Sequence, residues 1–355
     1  MSQFDNFVGT REVSDAHRFD THALTQWLQA HMPGFAGPLE VEMFKGGQSN
    51  PTYKLNTPSK SYVMRAKPGP VAKLLPSAHA IEREYAVMSG LQGTDVPVAQ
   101  MHVLCDDESV IGRAFYVMEF VQGRVLWDQA LPGMTAPQRR EIYLEMNRVI
   151  AALHAVNHVE QGLGSFGKPG NYFARQIGRW SKQYQLSETD PVPEMNQLID
   201  WLPAHIPQGD ETTVVHGDYR LDNMIFHPTE PRVLAVLDWE LSTLGHPLAD
   251  FSYHCMSWHI PPEQFRGIAG LDLARLGIPD ESAYIRRYCE RTGRDAIGHR
   301  DFYLAYNCFR LAAILQGIVK RALDGTASSP QALEQGQRVR PLAELAWSFA
   351  RKVGA

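Results

Sequence analysis

Short runs of alternating apolar and polar residues dominate the first third of the chain. An alternation with a period of two is typical of strands that bury one face. It predicts strands over residues 39–44, 52–55, 61–66, 99–105 and 115–121. A glycine-containing turn at 45–51 separates the first two of these strands, so we expect them to pair as a hairpin.

Helical spacing appears early and dominates after Gln122-Gly123. Asp20 can cap a first helix that ends near Pro33, because its carboxylate accepts hydrogen bonds from the amides that follow. Further helices are predicted over residues 77–91, 136–156 and 171–186, over most of 281–324, and after a loop at 325–330.

The change of pattern near residue 121 predicts an α+β chain with two lobes. Residues 1–121 form a small, strand-rich N-terminal lobe, and residues 122–355 form a larger, mainly helical C-terminal lobe. The gap between two lobes is a usual place for a ligand.

The amino-acid composition and net charge exclude several classes of protein and partner. Hydrophobic residues make up 44% of the 355 residues and charged residues 21%, which excludes a disordered chain, a collagen and a coiled coil. A net charge of −5 leaves no polybasic field, so we predict neither a nucleic-acid nor a membrane partner. No C-x-x-C pair occurs, so we predict reduced thiols and a cytoplasmic location for a chain whose cysteines are Cys105, Cys255, Cys289 and Cys308.

Residues 214–240 contain the side chains that indicate a catalytic function. A turn at 227–231 is flanked by apolar runs that predict a hairpin, and Asn223 and Asp238 lie equally far from its centre. Both side chains therefore belong to the same open end of the hairpin. Asp218 comes five residues before Asn223, on the loop that enters the hairpin.

These side chains suit phosphoryl transfer. An amide oxygen and a carboxylate side by side are hard ligands for Mg²⁺, which predicts Asn223 and Asp238 as metal ligands. A separate carboxylate can orient an attacking hydroxyl and accept its proton, which predicts Asp218 as the catalytic base. The pattern H-x-D-x-x-x-x-N, a strand and then Asp is that of kinase-type phosphotransferases. His216 is interpreted as a structural residue of the loop.

Four longer stretches of the sequence are similar to those of a known family. They are residues 44–53, 171–180, 237–245 and 309–318. On these stretches the chain resembles the aminoglycoside phosphotransferase family, and in particular the branch found as a kinase-like domain fused to acyl-CoA dehydrogenases. The resemblance covers nearly the whole chain. It implies a protein-kinase-like fold, ATP and Mg²⁺ as cofactors, transfer to the hydroxyl of a small molecule, and a functional link to acyl-CoA dehydrogenase.

The resemblance also implies nucleotide-binding residues in the N-terminal lobe. The turn over the phosphates would be Gly46, Gly47, Gln48, Ser49 and Asn50, although such a turn is often an ordinary hairpin turn. Either Arg65 or Lys67 would contact the phosphates, with Glu84 rather than Glu82 as the helix partner. Backbone groups of Glu119 and Val121 would meet the adenine, and Met118 would line its pocket. Asp250 matches an acid that holds the catalytic loop.

The chemical class of the phosphate acceptor is predicted from the distribution of charged residues along the chain. Residues 252–355 carry 14 Lys and Arg against 10 Asp and Glu, whereas the rest of the chain carries 20 against 29. A basic substrate side favours an anionic acceptor over a polycation. The resemblance to the acyl-CoA dehydrogenase branch points to a hydroxyacyl-CoA.

The alternatives are an aminoglycoside 3′-type phosphotransferase and a catalytically silent nucleotide-binding module. Arg310 and Arg321 are eleven residues apart and would share one helix face, unless they are solvated surface residues. The predicted substrate residues are Arg175, Tyr219, Arg220, Glu240, Arg310 and Arg321.

Overall fold

A computed structural model describes residues 8–45, 50–68, 80–325 and 330–355. The strands are β1 (Thr10–Arg11), β2 (Glu40–Phe44), β3 (Thr52–Asn56), β4 (Ser61–Ala66), β5 (Met101–Cys105), β6 (Phe115–Glu119), β7 (Arg124–Val125), β8 (Thr213–Val215), β9 (Met224–Phe226), β10 (Val233–Val236) and β11 (Thr243–Gly245). The helices are α1 (Thr21–His31), α2 (Ile81–Leu91), α3 (Ala136–Ala155), α4 (Tyr172–Ser187), α5 (Pro193–Ala204), α6 (Pro247–Cys255), α7 (Pro262–Phe265), α8 (Leu273–Leu276), α9 (Glu281–Thr292), α10 (Arg300–Leu323) and α11 (Val339–Lys352).

The chain divides into two compact units that interleave along the sequence. The first unit contains Met1–Trp127, Val159–Phe166 and Asn223–Ser242, and the second contains Asp128–His158, Gly167–Asp222 and Thr243–Ala355. The hairpin that carries Asn223 and Asp238 thus belongs with the N-terminal strands. The predicted lobe boundary at residue 121 stays a prediction.

An antiparallel six-stranded sheet forms most of the first unit. Its strand order is β1-β2-β3-β4-β6-β5. The predicted hairpin of β2 and β3 is confirmed, with Met43 opposite Tyr53. One face of the sheet packs against α1, where Leu24 and Leu28 are fully buried with Tyr53 and Met64. The predicted cap of α1 is also observed, since the carboxylate of Asp20 accepts from the amides of His22 and Ala23 at 2.9 and 3.0 Å.

A smaller sheet in the same unit contains the second predicted hairpin. Strands β9 and β10 pair antiparallel, with Met224 opposite Val236, and β7 adds to the other edge of β9. The amide of Leu237 donates to the carbonyl of Asn223 at 2.8 Å. Asn223 and Asp238 therefore lie at the same open end of this hairpin, as predicted.

The second unit is mainly helical, with one small two-stranded sheet of β8 and β11. Its central helix is α10, which packs against α4, α6 and α11. Helix α10 is long and apolar enough to cross a bilayer by length and composition alone, but 89% of its most apolar stretch is buried inside the protein. It is therefore read as the core helix of this unit.

All four cysteines are buried and free, which agrees with the prediction of reduced thiols. Burial raises the pKa of the Cys308 thiol to about 12 and so keeps it protonated. The cytoplasmic location stays a prediction.

Candidate functional site

An ion cluster in the first unit is built around the largely buried Arg65, near the end of β4. Its Nε lies 3.2 Å from Oε2 of Glu84 on α2, and its Nη2 lies 3.2 Å from Oδ1 of Asp238. Glu240 is a third carboxylate, 3.5 Å from the same Nη2. Burial by itself would lower the pKa of Arg65, but the charge of Glu84, and then those of other neighbours, outweighs burial and raises it. Arg65 is thus a permanent cation among carboxylates.

Glu84 is held by two further donors. The Nδ2 of Asn50 donates to its Oε1 at 2.9 Å, and the hydroxyl of Tyr116 donates to its Oε2 at 3.0 Å. Only 1% of Glu84 is exposed, and burial raises the pKa of this carboxyl although Arg65 opposes the rise. Glu84 is therefore the α2 carboxylate that contacts Arg65, whereas Glu82 contacts Lys67. The role of Glu84 in nucleotide binding stays a prediction.

Asp238 follows β10 in a conformation that is rare for a side-chain-bearing residue. Its φ is +63° and its ψ is +60°, in the left-handed region. Such strain persists only where the surrounding structure fixes it, and it often marks a functional site. Here the ion pair with Arg65 fixes the carboxylate at the open end of the hairpin.

Residues 216–222 of the catalytic-loop motif lie in the second unit, where three groups hold Asp218. The hydroxyl of Tyr253 donates to Oδ1 of Asp218 at 2.5 Å, and Nη2 of Arg220 lies 3.0 Å from its Oδ2. The backbone amide of Asp218 donates to Nδ1 of His216 at 3.2 Å. His216 is fully buried, which supports its interpretation as a structural residue of the loop.

Asp250, on α6, holds the same loop from behind. Its Oδ2 and Oδ1 accept the backbone amides of His216 and Gly217 at 2.7 and 2.8 Å. Burial by itself would raise the pKa of Asp250, but the hydrogen bonds, first that of His154, lower it. On the other side of the loop, Nη2 of Arg310 donates to the carbonyl of Gly217 at 2.7 Å. The loop is therefore fixed through its backbone by two oppositely charged side chains.

The predicted nucleotide-binding residues fall into three groups. Gly46, Gly47, Gln48 and Ser49 lie outside the described residues. Lys67 forms an ion pair with Glu82, on the other side of α2 from Glu84.

The third group is the end of β6. Met118 pairs with Val63 in the sheet, and the amide of Glu119 donates to the carbonyl of Gln100 at 2.8 Å. Within the described part of the chain, the amide of Val121 has no hydrogen-bond acceptor. The contacts of Met118, Glu119 and Val121 with an adenine stay predictions.

The predicted substrate residues have different surroundings in the structure. Tyr219 is fully buried, with its hydroxyl donating to the carbonyl of Met146 at 2.8 Å, and Arg175 donates to the carbonyl of Lys168 at 2.6 Å. Arg310 is buried against Gly217, whereas Arg321 is exposed. The two arginines of α10 therefore do not form one exposed basic face.

Arg220 and Glu240 contact charged neighbours in the two units. Arg220 lies between the carboxylates of Asp218 and Asp222, and Glu240 belongs to the cluster around Arg65. Arg220 is thus the predicted substrate residue that contacts the candidate base directly.

Sequence reasoning missed Tyr253 and Arg266. Arg266 forms an ion pair with Asp222, and burial, followed by the charge of Arg220, lowers its pKa to about 10. Tyr253 comes three residues after Asp250, and this spacing puts both side chains on one helix face. That spacing was the available signal, but it required a helix at 247–255 that the pattern did not predict.

Asn223 and Asp238 supply an amide oxygen and a carboxylate, which is the donor chemistry that Mg²⁺ prefers. Asp238 engages Arg65 through Oδ1, which leaves Oδ2 outside that contact. The donor chemistry of these two residues therefore fits a magnesium ion, which they would hold as ligands. Within the described ranges no cluster of three or more His, Cys, Asp or Glu side chains suits a metal.

Comparisons with known proteins agree on the family. The model of the phosphotransferase enzyme family matches residues 40–296. Mouse acyl-CoA dehydrogenase family member 10 is 46% identical over 97% of this chain, and mouse acyl-CoA dehydrogenase family member 11 is 40% identical over 97%. The chain covers 32% and 45% of those two proteins, so it spans less than half the length of these curated relatives.

Solved structures show the same fold. A crystal structure from Ralstonia eutropha JMP134, described as a candidate aminoglycoside phosphotransferase, is 66% identical, with a TM-score of 0.88 over 94% of this chain and 99% of that one. Spectinomycin phosphotransferase in complex with ADP and spectinomycin is 12% identical, with a TM-score of 0.60 over 94% and 98%. The predicted α+β, protein-kinase-like fold is confirmed, and the chain belongs to the phosphotransferase enzyme family.

Proposed function

We propose that this chain is an ATP- and Mg²⁺-dependent O-phosphotransferase that acts on the hydroxyl of a small molecule. The observation that carries the proposal is the ion cluster of Arg65, Glu84 and Asp238, in which the pair of Arg65 and Glu84 is buried. It unites a cation for phosphate oxygens with a carboxylate for a metal, as kinase-type phosphotransferases require. The family match and the loop around Asp218 support the same activity.

In the proposed reaction, the acceptor oxygen attacks the γ-phosphorus of ATP, and the bond from that phosphorus to the β,γ-bridging oxygen breaks. ADP leaves, and the proton of the acceptor hydroxyl passes to the carboxylate of Asp218. Magnesium, held by Asn223 and Asp238, would neutralise phosphate charge. Arg65 would contact the phosphates, because it is the cation that pairs with Glu84, whereas Lys67 pairs with Glu82.

We infer that the acceptor is anionic, and a hydroxyacyl-CoA fits best. The excess of Lys and Arg over Asp and Glu in residues 252–355 supports this inference. The curated relatives are named acyl-CoA dehydrogenases, which supports an acyl-CoA substrate and a functional link to that enzyme class. Aminoglycosides are polycations, and a basic region disfavours them.

Purified protein with ATP and Mg²⁺ should phosphorylate 4-hydroxyvaleryl-CoA and leave kanamycin unchanged. Product formation is measured by mass spectrometry, and ADP release by a coupled assay. Phosphorylation of kanamycin alone would contradict the charge argument. Failure with every alcohol, together with ATP binding, would favour a catalytically silent nucleotide-binding module.

A further inference from the structure

A chain of buried side chains extends from Asp250 to α3 and α9 of the second unit. Nε2 of His154, on α3, lies 3.3 Å from Oδ2 of Asp250. The other ring nitrogen, Nδ1, lies 2.7 Å from the hydroxyl of Tyr288, on α9. The side chains of His154 and Asp250 are each 1% exposed, and Tyr288 is fully buried. Water therefore cannot replace either contact of the imidazole.

The carboxylate of Asp250 determines which ring nitrogen of His154 carries a proton. Burial alone would raise the pKa of Asp250, but its hydrogen bonds lower the pKa and keep the carboxylate ionised. Both oxygens of an ionised carboxylate can only accept hydrogen bonds. Nε2 of His154 is therefore the donor of the contact with Asp250.

The hydroxyl of Tyr288 contacts the remaining ring nitrogen. Burial raises the pKa of this hydroxyl, which stays protonated, while the charge of Arg294 opposes the rise. A nearby cation attracts the hydroxyl oxygen and turns its hydrogen away, towards Nδ1 of His154. His154 thus accepts at Nδ1 and donates at Nε2, which defines one neutral tautomer. The hydrogen bond at one ring nitrogen sets the protonation of the other.

The ring of Tyr288 is held independently of its hydroxyl. It stacks on Phe251, the residue that follows Asp250 on α6, with ring centroids 3.8 Å apart and planes inclined by 16°. Loss of the hydroxyl alone should therefore leave the packing between α9 and α6 intact. The hydroxyl can be tested without removing the ring.

We propose that Tyr288 and His154 are positioning residues of the phosphotransferase reaction, which act on the catalytic loop through Asp250. The hydroxyl of Tyr288 keeps the proton of His154 on Nε2, and that proton fixes Oδ2 of Asp250. The carboxylate of Asp250 in turn holds the two backbone amides that precede Asp218. The inference rests on the proposed function, in which Asp218 is the base.

The first test removes only the hydroxyl. In Tyr288→Phe, His154 loses the contact that keeps its proton on Nε2. The kcat should therefore fall about tenfold, the effect of one hydrogen bond, at an unchanged KM for ATP. Tyr284→Phe is the matched control, because Tyr284 is also a fully buried residue of α9, and its hydroxyl lies 2.8 Å from Nε2 of His254 on α6. A kcat equal to that of the control would overturn the inference.

A second pair of variants separates positioning from a general loss of packing. His154→Gln retains an N–H donor for Asp250, whereas His154→Leu is apolar and has none. The glutamine variant should keep most of the wild-type kcat, and the leucine variant should lose about tenfold or more. Similar losses of kcat in the two variants would overturn the inference.

Hydrogen exchange tests the same contacts without turnover. The amides of His216 and Gly217 should exchange about tenfold faster in Tyr288→Phe than in the wild type, and at the wild-type rate in Tyr284→Phe. Unchanged exchange in Tyr288→Phe would overturn the inference. Faster exchange in this variant, from a wild type that phosphorylates no acceptor, would support the positioning of the loop and reject the proposed kinase activity.

Discussion

Two cations near the end of β4 differ sharply in their surroundings. Arg65 has a side chain that is 12% exposed, and its partner Glu84 is 1% exposed. Lys67 and its partner Glu82 are 31% and 39% exposed. Solvent weakens the second pair, whereas removal of one member of the first would leave a buried charge without compensation.

Arg65→Ala should therefore lower the free energy of unfolding by about 3–5 kcal/mol. Lys67→Ala should lower it by about 1 kcal/mol or less. Urea denaturation of both variants checks the difference, and the KM for ATP should rise only in Arg65→Ala. Equal losses of stability would show that the buried pair is not the stronger one.

Tyr253 donates its hydroxyl to the carboxylate of the candidate base, Asp218. A hydrogen bond to a charged group is worth about 1.5–3 kcal/mol. Tyr253→Phe should therefore lower kcat by about tenfold or more, because Asp218 loses a group that orients its carboxylate.

Nucleotide affinity should stay unchanged in Tyr253→Phe. Tyr303→Phe serves as the control, since Tyr303 is buried in the same unit and packs against Phe173 and His246. A kcat of Tyr253→Phe equal to that of the control would show that the hydroxyl does not act on Asp218.

At the scale of elements, α6 organises the catalytic loop. Its residues Asp250 and Tyr253 lie three apart, so one helix face holds both the loop backbone and the candidate base. Gly217, whose amide is one of those held, has a φ of +83°, which favours glycine at this position. The loop conformation is therefore determined by the helix behind it as much as by its own sequence.

Asp250→Asn should weaken this arrangement. An amide offers one acceptor oxygen, so one of the two backbone amides at His216 and Gly217 would lose its acceptor. We expect a loss of about 1–3 kcal/mol in the free energy of unfolding. Turnover should fall with unchanged ATP affinity, as measured by calorimetry. A variant as stable and as active as the wild type would contradict this role.

His254, next along α6, predicts a pH dependence. Burial lowers its pKa from 6.5 to about 4, so the imidazole is neutral in the folded state. Below pH 6.5 the unfolded state binds a proton that the folded state does not, and stability falls as the pH drops towards 4. The contribution amounts to about 3 kcal/mol over this window.

Denaturation of the wild type and of His254→Gln at pH 7 and pH 4.5 isolates this contribution from those of the carboxylates. The variant should lose less stability between the two pH values than the wild type does. Identical losses would mean that His254 is not kept neutral by burial.

For the whole molecule, the sequence predicted local elements better than their assembly. Strand β4 begins and ends where its alternation does, and the hairpin of β9 and β10 has Asn223 and Asp238 at its open end as predicted. Strand β7 and helix α6 were missed. Strand β7 has two residues and exists only through pairing with β9, and α6 is buried at every position, so it shows no amphipathic period.

The candidate site was likewise predicted only in part. The residue types and their spacing around the hairpin indicated Asp218, Asn223 and Asp238, because magnesium binding and phosphoryl transfer require oxygen-bearing side chains. Arg220 lies only two residues from Asp218, and the resemblance indicated Asp250. Tyr253 lies 35 residues from Asp218, on α6, and only tertiary structure brings its hydroxyl to that carboxylate. Its signal in the sequence, the spacing from Asp250, required a helix that the pattern did not predict.

The central claim is that Asp218 is the base of a small-molecule kinase. The most direct test measures transfer of the γ-phosphoryl group from ATP to 4-hydroxyvaleryl-CoA by wild-type protein and by Asp218→Ala, with Mg·ATP affinity determined for both. The wild type should form a phosphorylated product, whereas the variant should lose turnover by about a thousandfold or more with a nearly equal nucleotide affinity. Comparable turnover in the two proteins would contradict it.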